Sequence, residues 1–380
     1  MKIVADENIP FVKECFSSIG SVITVSGRGI KPELLNDADM LFVRSITSVN
    51  QQLLEKSSVR FVATATIGVE HVDTDYLASR NIGFAFAPGS NSNSVAEYIV
   101  AALLTLAGKF RFQLADKSIG IVGVGNVGSK VEKKCRALGM NVLLNDPPLQ
   151  RQTNNPKYLP LQRLFDCDFI TMHTPLTHEG IDRTFHLANK DFFDSLRQGA
   201  FFINTSRGAV VDTIALKDAI SSQKLGGAVL DVWENEPSID CELLRKVSLS
   251  TPHIAGYSYD GKVNGMIMTY EAACRYFDLQ PEHTAENFLP QPQIPEITID
   301  STGNDEQTIL YETVQQIYNI NRDDFNTREI LMVPPETRSR FFDDLRKNYP
   351  VRREFQNTRI ILKKPDKSLQ KKLAGIGYKI

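Results

Sequence analysis

The chain has 380 residues, of which 42% are hydrophobic and 23% are charged, as in an ordinary globular protein. The formal net charge of −2 argues against a general nucleic-acid binder, which would carry an excess of basic residues. No apolar run reaches the roughly 18 residues that would cross a bilayer, which argues against a membrane protein.

The five cysteines are dispersed and form no CxxC pair, which predicts reduced thiols in a cytoplasmic protein. The start of the chain, MKIVADENIP, has neither the apolar core nor the cleavage site of a signal peptide. No cluster of His and Cys has metal-ligand spacing, so we expect no metal.

Short apolar segments alternate with helical stretches over residues 1–90. The strand candidates are KIVAD, SVITVS, MLFVRS, VRFVATAT and IGFAFAPG. This alternation predicts a parallel α/β sheet. Ser45 and Thr66 follow two of these strands, at the end where such sheets bind ligands.

A long apolar-rich stretch, NSNSVAEYIVAALLTLAGKFR, predicts a buried helix over 94–110 that connects two domains. Ser94 and Glu97 have the S-x-x-E spacing of a capping box, which places the start of this helix at residue 94.

The strand–helix alternation restarts over residues 116–256 and predicts a second parallel sheet. A helical stretch over 262–278 is expected to return to the first domain. Four prolines within 281–295 then mark a linker or an extended arm. Residues 338–380 carry 13 Lys and Arg against 4 Asp and Glu, a pattern that is usually a solvated basic face.

The segment SIGIVGVGNVGSKVEKKCRALGMNVLLND carries the strongest local signal. Gly123, Gly125 and Gly128 form a G-x-G-x-x-G motif between a strand and a helix, and Asp146 ends the next strand. This context predicts a dinucleotide whose pyrophosphate faces the helix N-terminus. The carboxylate of Asp146 would bind the ribose hydroxyls and repel a 2′-phosphate, which favours NAD over NADP.

Three further segments each follow a candidate strand of the second sheet: FFINTSRGAVVD, GGAVLDVWENEP and TPHIAGYSYDGK. They bring Arg207, Glu236 and His253 to the strand ends where such folds bind ligands. Alone, each residue could be an ordinary surface or structural side chain. Together they suit oxidation of a hydroxy acid, because a carboxylate stabilises an imidazolium and an arginine holds a carboxylate.

These motifs, with HTPLT at 173–177, resemble the D-2-hydroxyacid dehydrogenases over about residues 1–280. The resemblance implies that Arg207, Glu236 and His253 are catalytic and that NAD is the cofactor. The cofactor contacts that it implies, beyond the three glycines, are Asn126, Val127, Asp146, Thr174, Thr205, Ser206, Arg207, Asp231 and Gly256.

Within the family, the best resemblance is to a member that oxidises a phosphorylated hydroxy acid and dimerises through an extra C-terminal domain. It implies that Ser45, Thr66 and Tyr257 contact the substrate. Charge placement adds Arg44, and the basic cluster around Arg346, as candidates for the phosphate. A phosphoglycerate or glycerate dehydrogenase, and a nucleotide-sensing scaffold without turnover, stay open as alternatives.

The expected fold is α/β, with two doubly wound parallel-sheet domains and a C-terminal α+β dimerisation domain. The expected flavodoxin-like substrate domain covers 1–93 and 262–280, the inserted Rossmann NAD domain covers 94–261, and the dimerisation domain covers 281–380. The expected partners are a small-molecule substrate and a second copy of the chain, with neither nucleic acid nor membrane.

Overall fold

The computed structural model describes residues 1–303 and 305–380. These residues form two compact units, the first built from Met1–Asn91 and Ser258–Gln291, the second from Ser92–Tyr257 and Pro292–Ile380. The domain boundaries expected from the sequence stay a prediction. No helix within the described ranges is long and apolar enough to cross a membrane.

The strands and helices follow one another much as the alternation of the sequence predicts. The strands are β1 Lys2–Asp6, β2 Ser21–Val25, β3 Met40–Val43, β4 Phe61–Thr64, β5 Gly83–Phe86, β6 Ser118–Val122, β7 Asn141–Asn145, β8 Phe169–Met172, β9 Ala200–Asn204, β10 Leu225–Leu230, β11 Leu249–Ser250, β12 Glu296–Ile299 and β13 Arg359–Leu362. The helices are α1 Val12–Phe16, α2 Gln51–Leu54, α3 Thr74–Ser79, α4 Ser92–Phe110, α5 Asn126–Ala137, α6 Pro147–Thr153, α7 Lys190–Ser195, α8 Thr213–Ser221, α9 Cys241–Lys246, α10 Tyr259–Tyr276, α11 Glu306–Ile317, α12 Ile320–Arg328, α13 Arg338–Lys347 and α14 Lys367–Ile376.

The first unit is a five-stranded parallel sheet in the order β2-β1-β3-β4-β5. This is the flavodoxin-like order, as expected. The strands β3 and β4 are buried along their whole length, and all their residues except Thr64 are apolar, as expected for strands covered on both faces. On one face Phe16, Phe42 and Tyr270 pack together, and Tyr270 comes from the returning helix α10.

The second unit contains a six-stranded parallel sheet in the order β11-β10-β9-β8-β6-β7. Beyond the edge strand β7, Tyr158 makes a single parallel bridge to Leu144, where a Rossmann sheet has its third strand. This bridge completes the expected Rossmann order, with that third strand reduced to one residue pair. The sheet turns its carboxyl ends, and the loops that follow them, to one edge.

Helix α4 begins at Ser92, two residues before the predicted start, and most of its residues are buried. The predicted capping box is wrong, because Ser94 and Glu97 lie within the helix rather than at its N-terminus. Their side chains hydrogen-bond to the C-terminal segment instead. Ser94 donates to Glu354 at 2.6 Å, and Glu97 accepts from the guanidinium of Arg352 at 2.6 Å. The hydrogen bonds of Ser94 and Glu97 thus go to partners far along the chain, although their spacing is that of a local capping motif.

The C-terminal segment combines helices with a small parallel sheet of β12 and β13, as the expected α+β class requires. It shares a core with the six-stranded sheet rather than forming a separate one. Helix α14 lies on α5 so closely that a Cβ at Gly375 would stand 2.4 Å from the Cβ of Ala137. Lys134 of α5 donates to the carbonyl of Ile376 at 2.5 Å.

Candidate active site

The glycine motif lies between β6 and α5, as predicted. Gly123 has a φ of 87°, a conformation that glycine adopts without strain. A Cβ at Gly128 would stand 2.0 Å from the carbonyl oxygen of Gly123, so only glycine lets α5 start this close to the strand. A Cβ at Gly125 would meet no described atom within 4 Å, which leaves open space beside the loop for a ligand.

Asp146 follows β7 and braces this loop. One carboxylate oxygen accepts from the backbone N–H of Val124 at 2.8 Å, and the other caps α6 through Leu149 at 2.9 Å. The residue predicted to bind the ribose therefore also fixes the backbone of the glycine loop. Its ribose contact stays a prediction.

Thr174 and Thr205 follow β8 and β9, and both were predicted to contact the cofactor. The hydroxyl of Thr174 is buried and has no hydrogen-bond partner in the described part of the chain. The hydroxyl of Thr205 lies 3.2 Å from Nδ1 of His173, whose pKa burial lowers to about 3. An unsatisfied hydroxyl beside the open glycine loop fits a site that receives a polar ligand.

Arg207 lies in the tight turn after β9. Asn204 holds this turn, because its side chain accepts from the amide and hydroxyl of Ser206 and donates to the carbonyl of Arg207 at 3.0 Å. A Cβ at Gly208 would stand 2.0 Å from the carbonyl oxygen of Trp233. The arginine turn therefore packs directly on the loop that carries Glu236.

His253 and Glu236 form a hydrogen-bonded pair. Nδ1 of His253 lies 2.7 Å from Oε2 of Glu236, and the side chains are 35% and 19% exposed. Burial opposes ionisation of Glu236, but His253, the Trp233 amide and Arg346 together hold the pKa of its carboxyl below its usual 4.5. Glu236 is thus a carboxylate that orients the imidazole through Nδ1, and the other ring nitrogen, Nε2, is left out of this pair.

The turn that carries His253 is held by hydrogen bonds to Asp231. His253 has a φ of 59°, which is strained for a residue with a side chain. Its N–H donates to the Asp231 carbonyl at 2.7 Å, and the Asp231 carboxylate accepts from Thr251, Ile254 and Ala255. Burial raises the pKa of the Asp231 carboxyl. These bonds impose the left-handed turn, and a cofactor contact of Asp231 stays a prediction.

Trp233 links the two loops of the pair. Its amide donates to Oε1 of Glu236 at 2.7 Å, and its indole N–H donates to the carbonyl of Thr251 at 2.9 Å. The loops thereby hold an oriented imidazole, which can accept a proton, near an arginine turn that can bind an anion.

Tyr257 follows His253 in the same loop, and its ring meets the edge of Tyr349 at 5.9 Å between centroids. Tyr257 also lies close to the charge of Arg346. Both partners come from the C-terminal segment of the same chain. Gly256 precedes Tyr257 in this turn, and its predicted cofactor contact stays untested, as do those of Asn126, Val127 and Ser206.

The remaining predicted residues belong to the first unit. Ser45 with Arg44, and Thr66, follow the adjacent strands β3 and β4, so the sheet brings them to one edge. The Thr66 hydroxyl donates to the carbonyl of Gly68 at 2.8 Å, which shapes the loop. Burial, with the charge of Arg44, lowers the pKa of Lys262 to about 8.

Sequence reasoning missed Asn204, Trp233 and Thr251, which hold the site by hydrogen bonds rather than by reactive groups. Asn204 and Thr251 occur in ordinary strand ends, and no spacing singles them out. Trp233 did carry a signal, since it is the one tryptophan of the chain and lies within DVWENEP.

Comparison with known proteins agrees with this geometry. Residues 104–255 match the family model described as D-isomer specific 2-hydroxyacid dehydrogenase, NAD binding domain, which confirms the predicted cofactor. Residues 288–377 match a second model, described as a domain of unknown function.

Similar proteins extend over nearly the whole chain. The chain is 44% identical to the erythronate-4-phosphate dehydrogenase of Proteus mirabilis over 96% of each chain. It is 41% identical to that of Hahella chejuensis over 100% of this chain and 99% of the relative.

Solved structures share the fold over a shorter range. The D-lactate dehydrogenase of Aquifex aeolicus, complexed with NAD and lactic acid, matches with a TM-score of 0.59 and 25% identity. The match covers 73% of this chain and 96% of that one. The NAD-dependent formate dehydrogenase of Staphylococcus aureus matches with a TM-score of 0.60. With its glycine loop, its His253–Glu236 pair and its full-length relatives, this chain belongs to the erythronate-4-phosphate dehydrogenases of the D-2-hydroxyacid dehydrogenase family.

Proposed function

We propose that this chain oxidises 4-phospho-D-erythronate to 3-hydroxy-2-oxo-4-phosphooxybutanoate with NAD, a step in making pyridoxal 5′-phosphate. The observation that carries the proposal is the 2.7 Å pair of His253 and Glu236 beside the Arg207 turn. The choice of substrate is supported by full-length relatives that bear this enzyme's name.

Three side chains have separate roles in the proposed reaction. His253 takes the proton of the C2 hydroxyl on Nε2, because Nδ1 is occupied by Glu236. Glu236 stabilises the imidazolium that forms. Arg207 holds the substrate carboxylate and the developing carbonyl oxygen. NAD, when bound, supplies the acceptor for the hydride that leaves C2.

The NAD contacts proposed are the glycine loop with Asn126 and Val127, then Asp146 and the threonines after β8 and β9. The unsatisfied hydroxyl of Thr174 and the open space at Gly125 support this placement. Ser45, Thr66, Arg44 and Tyr257 are proposed to contact the substrate.

A substrate panel tests the reaction. NADH absorbance is followed with 4-phospho-D-erythronate, 3-phosphoglycerate and glycerate, and the highest kcat/KM is expected for the first. A preference for either of the other two would assign the chain to that activity, and no NADH with any of them would contradict an oxidoreductase acting on these acids.

The variant His253→Ala tests the role of the pair. We expect turnover to fall roughly 10²- to 10⁴-fold, since that is what a positioned proton carrier contributes. His178→Ala is the matched control, because His178 is exposed and contacts only the ring of Phe185 among the contacts described for it. A loss below about tenfold would reject His253 as the main base.

The assembly proposed is a cytoplasmic homodimer formed through residues 281–380. Phe325 and Met332 support an interface there, because their side chains are 66% and 85% exposed. Light scattering of the full chain is expected to give the mass of two copies, and replacement of Phe325 with Glu is expected to lower it. A mass of one copy at micromolar concentration would contradict the dimer.

A further inference from the structure

Helix α13 is fixed against the loop that carries Glu236, the proposed partner of the general base His253. The hydroxyl of Ser339, in its first turn, lies 2.8 Å from that of Ser238, two residues after Glu236. Phe342 of the same helix is fully buried in the core beneath the six-stranded sheet. The position of α13 relative to Glu236 is therefore set by packing on one side and by a hydrogen bond on the other.

Arg346 extends from the last turn of α13 toward this site. Its charge lies close to Tyr257, and near enough to Glu236 to help lower the pKa of that carboxyl. The side chain is 26% exposed. The nearest carboxylate on its own helix, Asp343, lies 3.9 Å away, beyond hydrogen-bond distance.

The Nε donor of Arg346 is buried and has no hydrogen-bond partner among residues 1–303 and 305–380. Buried donors without acceptors are rare and costly, so a site that keeps one indicates a ligand that accepts the bond. Guanidinium presents several donors in a fixed fork, and the oxygens of a phosphate match that geometry.

The sequence context of Arg346 points the same way. It lies in the segment matched as a domain of unknown function, outside residues 104–255, which match the NAD-binding domain of the wider family. The segment thus adds a cation to a site whose proton-transfer residues come from the shared part of the chain.

We propose that Arg346 is the specificity-determining residue that binds the phosphate of the substrate, in the same chain as His253 and Glu236. This inference rests on the proposed function, because it assumes a phosphorylated hydroxy acid. It assigns the C-terminal segment a direct part in substrate recognition beside its proposed part in dimerisation.

The test compares 4-phospho-D-erythronate with D-erythronate in the full-length Arg346→Gln variant. We expect the KM for the phosphorylated acid to rise about 10- to 100-fold, as for loss of a charge-assisted bond, while the KM for D-erythronate changes by a much smaller factor. Inhibition by inorganic phosphate is expected to weaken by a similar factor. Arg340→Gln is the matched control, because this arginine of the same helix is 87% exposed.

Arg346→Lys keeps the charge without the fork and is expected to recover part of the loss in KM. Unchanged KM values in both variants, with NAD binding and thermal unfolding like the wild type, would overturn the inference. So would an equal fall in kcat for both substrates with a shifted pH profile, since Arg346 would then act through Glu236. If Arg346→Gln does not fold, an unchanged KM for the phosphorylated acid in Arg346→Lys would by itself overturn the inference. Failure of the wild type to oxidise 4-phospho-D-erythronate would instead refute the proposed function.

Discussion

The ion pair of Arg352 and Glu97 joins the C-terminal segment to the buried helix α4. The side chains are 8% and 0% exposed, and Nη1 of Arg352 lies 2.6 Å from Oε2 of Glu97. Arg352 also stacks over the ring of Tyr318 at 4.3 Å. In Arg352→Met the Glu97 carboxylate keeps the amide of Phe355 at 2.8 Å but loses its paired cation.

We expect Arg352→Met to lower the free energy of unfolding by about 3–5 kcal/mol, because the buried Glu97 carboxylate loses its hydrogen-bonded cation. Burial already raises the pKa of Glu97 to about 7, with Arg352 opposing it. The folded state then binds more protons than the unfolded one between pH 4.5 and 7, so stability falls as pH rises through that window. The cost of Arg352→Met is therefore expected to be larger at pH 8 than at pH 5.5.

Urea unfolding followed by Trp233 fluorescence measures this, because the one tryptophan of the chain lies buried in the second unit. The double variant Arg352→Met with Glu97→Gln is expected to recover part of the loss, since the carboxylate that lost Arg352 is then neutral. The control Arg340→Met removes an exposed charge and should stay within about 0.5 kcal/mol of the wild type. A loss below about 1 kcal/mol, or a double variant that loses the sum of both single changes, would refute the reasoning.

Three further predictions concern the glycine loop, Asp146 and the His253–Glu236 pair. Gly125→Ala is expected to fold normally but to weaken NAD binding, whereas Gly128→Ala should lower the melting temperature, because its Cβ meets a carbonyl at 2.0 Å; equal melting temperatures would contradict this. Asp146→Ser keeps a capping oxygen but removes the charge and the acceptor of the Val124 amide, so stability should fall slightly and kcat/KM with NADP should rise relative to NAD; an unchanged ratio would exclude the charge as the selector. The folded state holds the pKa of Glu236 below its usual 4.5, so the ionised Glu236 carboxylate stabilises the fold above pH 4.5. This stabilisation is lost as the pH falls through the folded-state pKa. In a pH series of unfolding midpoints, Glu236→Gln should therefore lose less stability on acidification than the wild type.

The sheets and the glycine loop were predictable because their signals are local. Each strand of the two large sheets is a short apolar run bounded by turn residues, and the motif from Gly123 to Asp146 lies within one βαβ unit. The juxtaposition of Glu236 with His253 was also predictable, since parallel strands end at one edge of a sheet. Their functional roles stay predictions.

The rest could not be predicted because its partners are far apart in the chain. Glu97 fits a capping box by spacing, yet its partner Arg352 is 255 residues away. Arg346 was visible in the sequence only as one charge of a basic cluster. The packing of α13 leaves the Arg346 side chain 26% exposed, whereas Arg340 of the same helix is 87% exposed, and no sequence pattern marks this difference.

The joint core of α5 and α14 has a consequence for synthesis of the chain on the ribosome. Leu369, Leu373 and Ile376 are fully buried in the same apolar cluster as Val131 and Cys135 of α5. While residues 369–376 are still in the exit tunnel, that face of α5 has no cover, and Lys134 lacks its carbonyl partner. The second unit therefore cannot reach its final packing during translation of its own sheet, and the outer face of α5 stays available to chaperones until residues 369–376 have emerged.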